Sequence, residues 1–247
     1  MDQFFTRDYT GAPFELFGPA HLIALGIILA VNLSFLWLRR VQSPGLRRGV
    51  RISLAALLLI DEAAWHLWNA FTGQWTVQTM LPLHLCSVFV FLTAVMLLTR
   101  SYGIYEFAYL LGIAGALQAL LTPDAGRYGF PHFRFFQVML SHGAIITGAL
   151  YMTLVEGYRP TRKSPLRVLV GANLYMVAVG LVNWILGSNY LFIAHKPETA
   201  SLLDVLPPWP FYILWIELIG VVFVLLLYLP FWVIDRRAAA NDHVAPV

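Results

Sequence analysis

The sequence has little charge and almost no cysteine. Of its 247 residues only 12% are charged and 59% are hydrophobic, a composition that excludes a soluble domain. The single cysteine, Cys86, excludes an internal disulfide. Its thiol must therefore serve packing or chemistry, and a free cysteine most often packs as a small hydrophobic side chain.

Other absences restrict the function further. Residues 1–15 carry Asp2, Arg7 and Asp8 and lack an apolar run, so we expect no cleavable signal peptide. The sequence has no low-complexity block and no internal repeat of the kind that builds inverted-repeat transporters. It also lacks an HExxH motif and a cluster of thiolates, and we predict neither a metal nor a cofactor.

Long apolar runs are abundant, and seven of them have about the length that a helix needs to cross a bilayer. We predict spans at 19–38, 50–71, 76–98, 102–122, 134–156, 165–187 and 208–234. The fold class is therefore all-α, a polytopic membrane bundle of seven transmembrane helices. Residues 1–237 form this transmembrane domain, and residues 238–247 are expected to be a disordered cytoplasmic tail.

Lysine and arginine are distributed unequally between the two sides of these spans. Four of the 16 lie on the side of the N-terminus, namely Arg7, Arg127, Arg134 and Lys196, and the rest lie on the other side. Because basic residues favour the cytoplasmic side, we predict an outside N-terminus and a cytoplasmic C-terminus. The formal net charge of +3 reflects this topology and indicates no nucleic-acid partner.

Polar side chains inside the predicted spans concentrate in the outer halves of the helices. In the second span, Glu62, His66 and Asn69 share one helical stripe beside Asp61. The other spans contribute His84 and Cys86, Gln118, Gln137, Ser141 and His142, Asn183, and Tyr212 and Glu217. Because each polar group is costly in lipid, we expect these side chains to line an outer polar cavity above a dry cytoplasmic floor.

Depth in the membrane brings Cys86 and His142 together. Counted from the outer ends of their spans at about 1.5 Å per residue, Cys86 lies about 15 Å deep and His142 about 12 Å deep. An imidazole that takes the proton of a thiol produces the thiolate nucleophile of a Cys/His acyl-transfer site. His84 would face away from Cys86 on a helix, as a packing histidine or a second cavity wall. Pro82 is expected to kink this span.

Several other candidate site residues also have a purely structural interpretation. Gln118 or Asn189 could donate to a developing oxyanion. Gln118 equally suits an interhelical hydrogen bond, and Asn189 suits a turn. Glu62 and His66, four residues apart, resemble half of a metal site, but a buried hydrogen-bonded pair is the favoured interpretation.

The last span carries two more candidates. Tyr212 suits the outer aromatic belt of a membrane protein. Glu217 lies deep in the span and needs a polar partner, for which His142 and Asn183 are candidates.

Five motifs extend over most of the chain. They are Leu81-Pro82-Leu83-His84-Leu85-Cys86, Gly112 to Asp124, Phe136-Gln137 with Ser141-His142-Gly143, Gly187-Ser188-Asn189-Tyr190 followed by Lys196-Pro197, and Trp209-Pro210-Phe211-Tyr212. Their order and spacing resemble the YwaF family of bacterial integral membrane proteins. That family is similar to an animal transmembrane acyltransferase that remodels ether phospholipids. It is more distantly similar to androgen-regulated membrane hydrolases that cleave fatty-acid esters of hydroxy fatty acids. The resemblance implies a multi-pass protein of the bacterial cytoplasmic membrane with Cys86 and His142 as the active pair.

Two functions of different class follow. The first is a membrane-embedded lipid acyltransferase or acyl-ester hydrolase, in which an acyl ester enters from the outer leaflet and forms a thioester on Cys86 while His142 shuttles the proton. The second is a non-catalytic binding or transport protein, whose cavity holds a small polar solute or a lipid headgroup. An outward polar cavity suits either function, and the Cys/His pair favours the first.

Overall fold

Helices make up all the regular structure of the part that the computed structural model describes, residues 2–197 and 202–242. The α-helices are α1 Asp2–Phe5, α2 Pro19–Leu38, α3 Pro44–Phe71, α4 Leu85–Thr99, α5 Tyr102–Phe107, α6 Ile113–Leu121, α7 Phe133–Leu154, α8 Ser164–Leu186 and α9 Phe211–Asp242. A π-helical turn, Ala108–Gly112, joins α5 to α6, and short 3₁₀ helices occupy Tyr190–Phe192 and Leu202–Val205. The all-α prediction is confirmed for these residues.

Five helical segments are long and apolar enough to cross a membrane: Pro19–Leu38, Tyr102–Leu121, Phe133–Leu154, Ser164–Leu186 and Phe211–Ala238. The other two predicted spans are also helical. However, α3 carries several charged side chains, and α4 has only 15 residues. A helix of that length is about 22 Å long, against a hydrocarbon core of about 30 Å. The number of seven spans and the orientation of the termini therefore remain predictions.

The third predicted span begins later than the sequence suggested. Residues 76–84 form turns, in which Met80 N–H donates to Thr76 O at 2.9 Å, and α4 starts at Leu85 with His84 as its N-cap residue. Pro82 lies in these turns, since a proline disfavours helical geometry at the residue before it. The predicted helix kink at Pro82 is therefore wrong. The depth count for Cys86 is also wrong, because Cys86 is the second residue of α4 and not the eleventh of a longer helix.

The chain divides into two compact units, one ending at Tyr158 and the other starting at Arg159. In the first unit α7 is central and packs against α2, α3, α4 and α6. Small residues permit this close packing: a Cβ at Gly148 would lie 2.5 Å from Thr93 Cγ2 of α4, and one at Gly143 would lie 2.9 Å from Ile28 Cδ1 of α2. The helices α3, α4 and α7 also contact one another in pairs.

Arginine side chains join these three helices at the end where α3 begins. Arg51 is buried and donates to the backbone oxygens of Leu97 and Leu98, the last carbonyls of α4. Arg100 pairs with Glu156 at 2.8 Å. A cation at the C-terminus of a helix is favoured by the helix dipole, so Arg51 stabilises this end of α4.

In the second unit α8 packs against α9, and α9 continues to Asp242. Residues 238–242 of the predicted tail are therefore helical, and residues 243–247 lie outside the described residues. Many large apolar side chains of α8 and α9 are exposed, including Leu174, Trp184 and Leu214. Exposed apolar faces of this extent suit contact with lipid.

Candidate functional site

Most candidate residues of the first unit lie on three helices that pack against one another. Asp61, Glu62 and His66 lie on α3, Cys86 is the second residue of α4, and α7 carries Gln137, Ser141 and His142. Asp61, Glu62, Gln137 and Ser141 are buried, whereas His66, Cys86 and His142 are half-buried. Buried polar groups need partners, and the following paragraphs give the contacts that each side chain makes.

Arg134, which the sequence placed only among the outer basic residues, connects α3 to α7. Its guanidinium lies 4.1 Å from the Trp65 ring centre, a cation–π contact. One terminal nitrogen donates to Gln137 Oε1 and the other to the backbone oxygen of Asp124 at 3.1 Å. Gln137 in turn donates to Asp61 Oδ2 at 3.4 Å. The signal that could have found Arg134 is its position three residues before Gln137 on one helical face.

Glu62 and His66 form a hydrogen-bonded pair on α3. His66 Nε2 lies 3.4 Å from Glu62 Oε1, and the indole N–H of Trp75 donates to His66 Nδ1 at 3.0 Å. Because Nδ1 accepts, the ring proton sits on Nε2 and faces the carboxylate. This is the interpretation that the sequence favoured over half of a metal site. Within the described part of the chain, no three His, Cys, Asp or Glu side chains form a group that could hold a metal ion.

Cys86 lies in the first turn of α4. The first intrahelical bond joins Val88 N–H to His84 O at 3.0 Å. The backbone N–H groups of Leu85, Cys86 and Ser87 therefore come before the first i to i−4 hydrogen bond of the helix. The positive end of the helix dipole favours negative charge on a sulfur placed there. Glu62 of α3 lies close enough to interact with the thiol electrostatically. His84 is the half-buried N-cap residue of the same helix.

His142 has the reverse tautomer to His66. Its Nδ1 lies 2.8 Å from Val138 O, the carbonyl one turn earlier in α7. A carbonyl only accepts, so Nδ1 carries the proton and Nε2 keeps a free lone pair. Among the described residues no hydrogen bond joins Cys86 to His142. Catalytic contacts are often loose without substrate, and a reaction through both residues requires them to approach.

The local environments of Gln118 and Asn189 bear on their predicted role as oxyanion donors. Gln118 is exposed near the end of α6. The amide of Asn189 closes its own loop: Oδ1 accepts from Ala194 N–H at 3.1 Å and from His195 N–H at 3.2 Å, while Nδ2 donates to His195 O at 2.8 Å. Its side chain therefore performs the turn-forming role that the sequence offered as the alternative.

The second unit gives Tyr212 and Glu217 partners that the sequence did not predict. Tyr212 is fully buried and donates to Phe192 O, so its place in an aromatic belt is wrong. Glu217 accepts from Asn173 Nδ2 at 3.0 Å. Asn183 was an expected partner of Glu217, but it bonds Ser188 and the backbone of Tyr190 instead.

Two shallow grooves lie on the surface, and the second includes Asn173, the partner of Glu217. One of about 610 Å³ follows α3 from Gly45 to Leu57, and one of about 320 Å³ lies on α8 around Asn173. Neither groove is lined by Cys86 or His142. The polar outer cavity therefore remains a prediction.

Comparison with known proteins shows the family. No curated protein and no solved structure matches the chain. The profile of the TMEM164 family matches residues 16–228, which include α2 to α8, most of α9, and every candidate residue named above. The narrower YwaF resemblance, with the acyltransferase likeness that it implies, stays a prediction. Since the match covers most of the 247 residues, this chain belongs to the TMEM164 family of transmembrane proteins.

Proposed function

We propose that this membrane protein transfers or hydrolyses the acyl groups of lipid esters through a thioester on Cys86, with His142 as the acid–base group. The observation that carries the proposal is that the Cys86 thiol has a proton to donate and His142 has a ring nitrogen that can accept one. The Cys86 sulfur lies in the first turn of α4, and His142 on the adjacent α7 has a free Nε2 lone pair. The predicted resemblance to membrane acyltransferases supports the same pair.

The reaction has two halves. His142 Nε2 takes the thiol proton, and the sulfur attacks the ester carbonyl to form a tetrahedral intermediate. The C–O bond then breaks as His142 returns the proton to the leaving alcohol, and the acyl group remains on Cys86 as a thioester. A second alcohol or water, deprotonated by His142, attacks the thioester carbon. The C–S bond breaks, and the proton returns to the thiolate.

Backbone N–H groups of the α4 first turn replace Gln118 and Asn189 as the proposed oxyanion donors. Cys86 N–H and Ser87 N–H precede the first intrahelical bond of α4 and lie on or beside the nucleophile. Donors fixed where negative charge develops contribute more to catalysis than donors that must reorganise. The turn at 76–84, by starting the helix at Leu85, places these groups beside the sulfur.

The experiment is intact-protein mass spectrometry after incubation with vesicles of a diacyl phospholipid. Because Cys86 is the only cysteine, an acyl adduct that hydroxylamine removes reports this residue without ambiguity. We expect an adduct on the native chain, none on Cys86→Ala, and a slowly formed, hydroxylamine-resistant ester on Cys86→Ser. A native chain that binds the phospholipid but forms no adduct would contradict the proposal and favour the binding or transport function.

A further inference from the structure

Residues 3–18, named here the N-terminal strap, are held by an unusual set of hydrogen bonds. Three consecutive backbone carbonyls each accept from an aromatic side chain of another element. Trp68 Nε1 donates to Phe5 O at 2.7 Å, His132 Nε2 contacts Thr6 O at 3.0 Å, and Tyr128 Oη donates to Arg7 O at 3.1 Å. The strap therefore crosses the end of α3, the start of α7 and the loop between α6 and α7.

Packing holds the strap on the same surface. The ring centre of Phe5 lies 5.4 Å from that of Phe133, and the ring of Tyr9 lies 4.9 Å from that of His132. Farther along, the backbone of the strap touches Gly129, where a Cβ would lie 2.3 Å from Ala12 O. His132 is fully buried beneath these contacts.

His132 lies beneath the strap in its neutral form. Its Nδ1 accepts from the backbone N–H of Arg134 at 3.0 Å, so the single ring proton is on Nε2 and points to Thr6 O. A second proton would set an N–H against the N–H of Arg134 and would bury a positive charge. Burial accordingly lowers the pKa of His132, the bond to Thr6 O raises it in part, and the nearby Arg134 cation lowers it further.

The charged and titratable groups packed around His132 include two tyrosines and two arginines, Arg127 and Arg134. Tyr128 stacks on its ring at 4.4 Å and Tyr9 packs on the strap side. Arg127 lies over Tyr128 at 5.5 Å, and Tyr128 bonds the backbone of Arg7. Within the described residues no carboxylate forms an ion pair with His132.

The same contacts support Arg134. His132 accepts from its backbone N–H, and Trp68 stacks on Trp65 with ring centres 5.4 Å apart. Trp65 is the ring on which the Arg134 guanidinium lies. A change that detaches the strap from Trp68 and His132 therefore disturbs two of the groups around Arg134, while its bonds to Gln137 and Asp124 O do not involve the strap.

We propose that the N-terminal strap is an acid-released latch: protonation of His132 frees residues 3–18 from the ends of α3 and α7 and loosens Arg134. The proposal is independent of acyl transfer, because it concerns only the strap and its contacts. Arg134 bonds Gln137, which in turn bonds Asp61. Acid should therefore loosen this polar cluster at Arg134, and any reaction there would be affected.

Hydrogen exchange of the full-length protein in detergent, corrected for the intrinsic pH dependence of exchange, tests the latch. Between about pH 7.5 and about pH 5, the protection of residues 3–18 should fall by up to about tenfold per pH unit once His132 takes up its proton. Protection of the central turns of α7 should not change. A native strap that is equally protected at both pH values would overturn the proposal.

Two variants separate the latch from general destabilisation. His132→Asn keeps an N-cap acceptor for α7 but cannot take up a proton, so its strap should be less protected at neutral pH and show no acid step. Trp68→Phe removes the bond to Phe5 O but keeps His132, so it should be less protected and retain the step. An acid step that persists in His132→Asn would assign the titration to another group and overturn the proposal.

Discussion

At the residue scale, the tautomer of each histidine decides whether its ring has a nitrogen that can accept a proton. In His66 and His132 the Nδ1 atom accepts a hydrogen bond, so each ring presents an N–H at Nε2. His142 is reversed: Nδ1 donates to Val138 O and Nε2 remains an acceptor. Only an unoccupied ring nitrogen can take a proton from a thiol, and His142 provides one on α7, the helix that packs against α4.

This difference predicts unequal effects of two matched substitutions. His142→Gln removes the base, and the rate of acyl-adduct formation on Cys86 should fall by about 10² or more. His66→Gln removes a ring whose Nδ1 is already occupied by Trp75, and its rate should stay within a few-fold of native. Time-resolved intact mass spectrometry measures both. Equal losses in the two variants would assign the base role to neither residue.

A second residue-scale prediction concerns the carboxylate of Glu217. Asn173→Leu leaves that carboxylate without its described donor, so the free energy of unfolding in detergent should fall by about 1–3 kcal/mol. The double variant Asn173→Leu/Glu217→Leu removes both partners and should recover most of the loss, because replacing a hydrogen-bonded pair by apolar groups is nearly neutral. A double variant no more stable than Asn173→Leu would show that the two side chains are not coupled.

At the scale of secondary-structure elements, apolar runs predicted most of the helices but missed the turns at 76–84. Apolar runs placed six of the seven predicted spans close to the observed helices. The run at 76–98 continues smoothly through Pro82, yet the helix begins only at Leu85. Hydropathy does not distinguish an apolar turn from an apolar helix, so the first-turn position of Cys86 was not predictable. The contact between Arg134 and Trp65 depends on α3 packing against α7, which sequence spacing does not report.

Close packing of α7 predicts opposite effects for two glycines in apolar helices. A Cβ at Gly148 would lie 2.5 Å from Thr93 Cγ2, so Gly148→Ala should destabilise the protein by about 1–3 kcal/mol through overpacking. Gly26 on α2 has nothing within 4 Å, and Gly26→Ala should stabilise it by up to about 1 kcal/mol through helix propensity. Thermal unfolding in detergent compares them. A Gly148→Ala variant as stable as Gly26→Ala would mean that α4 and α7 can separate without cost.

At the scale of the whole molecule, the family match and the exposed apolar helices agree on a membrane protein. Composition predicted this class correctly, because long apolar helices with few charges are stable in the lipid bilayer and not in water. The number of crossings is harder to predict, since α3 combines apolar residues with Asp61, Glu62 and three arginines. Two of these side chains have partners within the first unit: Arg51 donates to the last carbonyls of α4, and Asp61 accepts from Gln137 of α7. A charged helix can therefore cross a membrane when neighbouring helices supply its partners.

Single cysteines introduced into a Cys86→Ala background distinguish seven crossings from five. Arg48, Gln78 and Arg127 are exposed and lie near the start of α3, between α3 and α4, and between α6 and α7. With seven spans and the N-terminus outside, a membrane-impermeant maleimide should label Gln78→Cys and Arg127→Cys on intact cells, and Arg48→Cys only after permeabilisation. If α3 and α4 do not cross, Gln78→Cys will behave like Arg48→Cys while Arg127→Cys stays accessible. That result would leave Cys86 on the cytoplasmic side of the membrane, and an outer-leaflet substrate could not reach it.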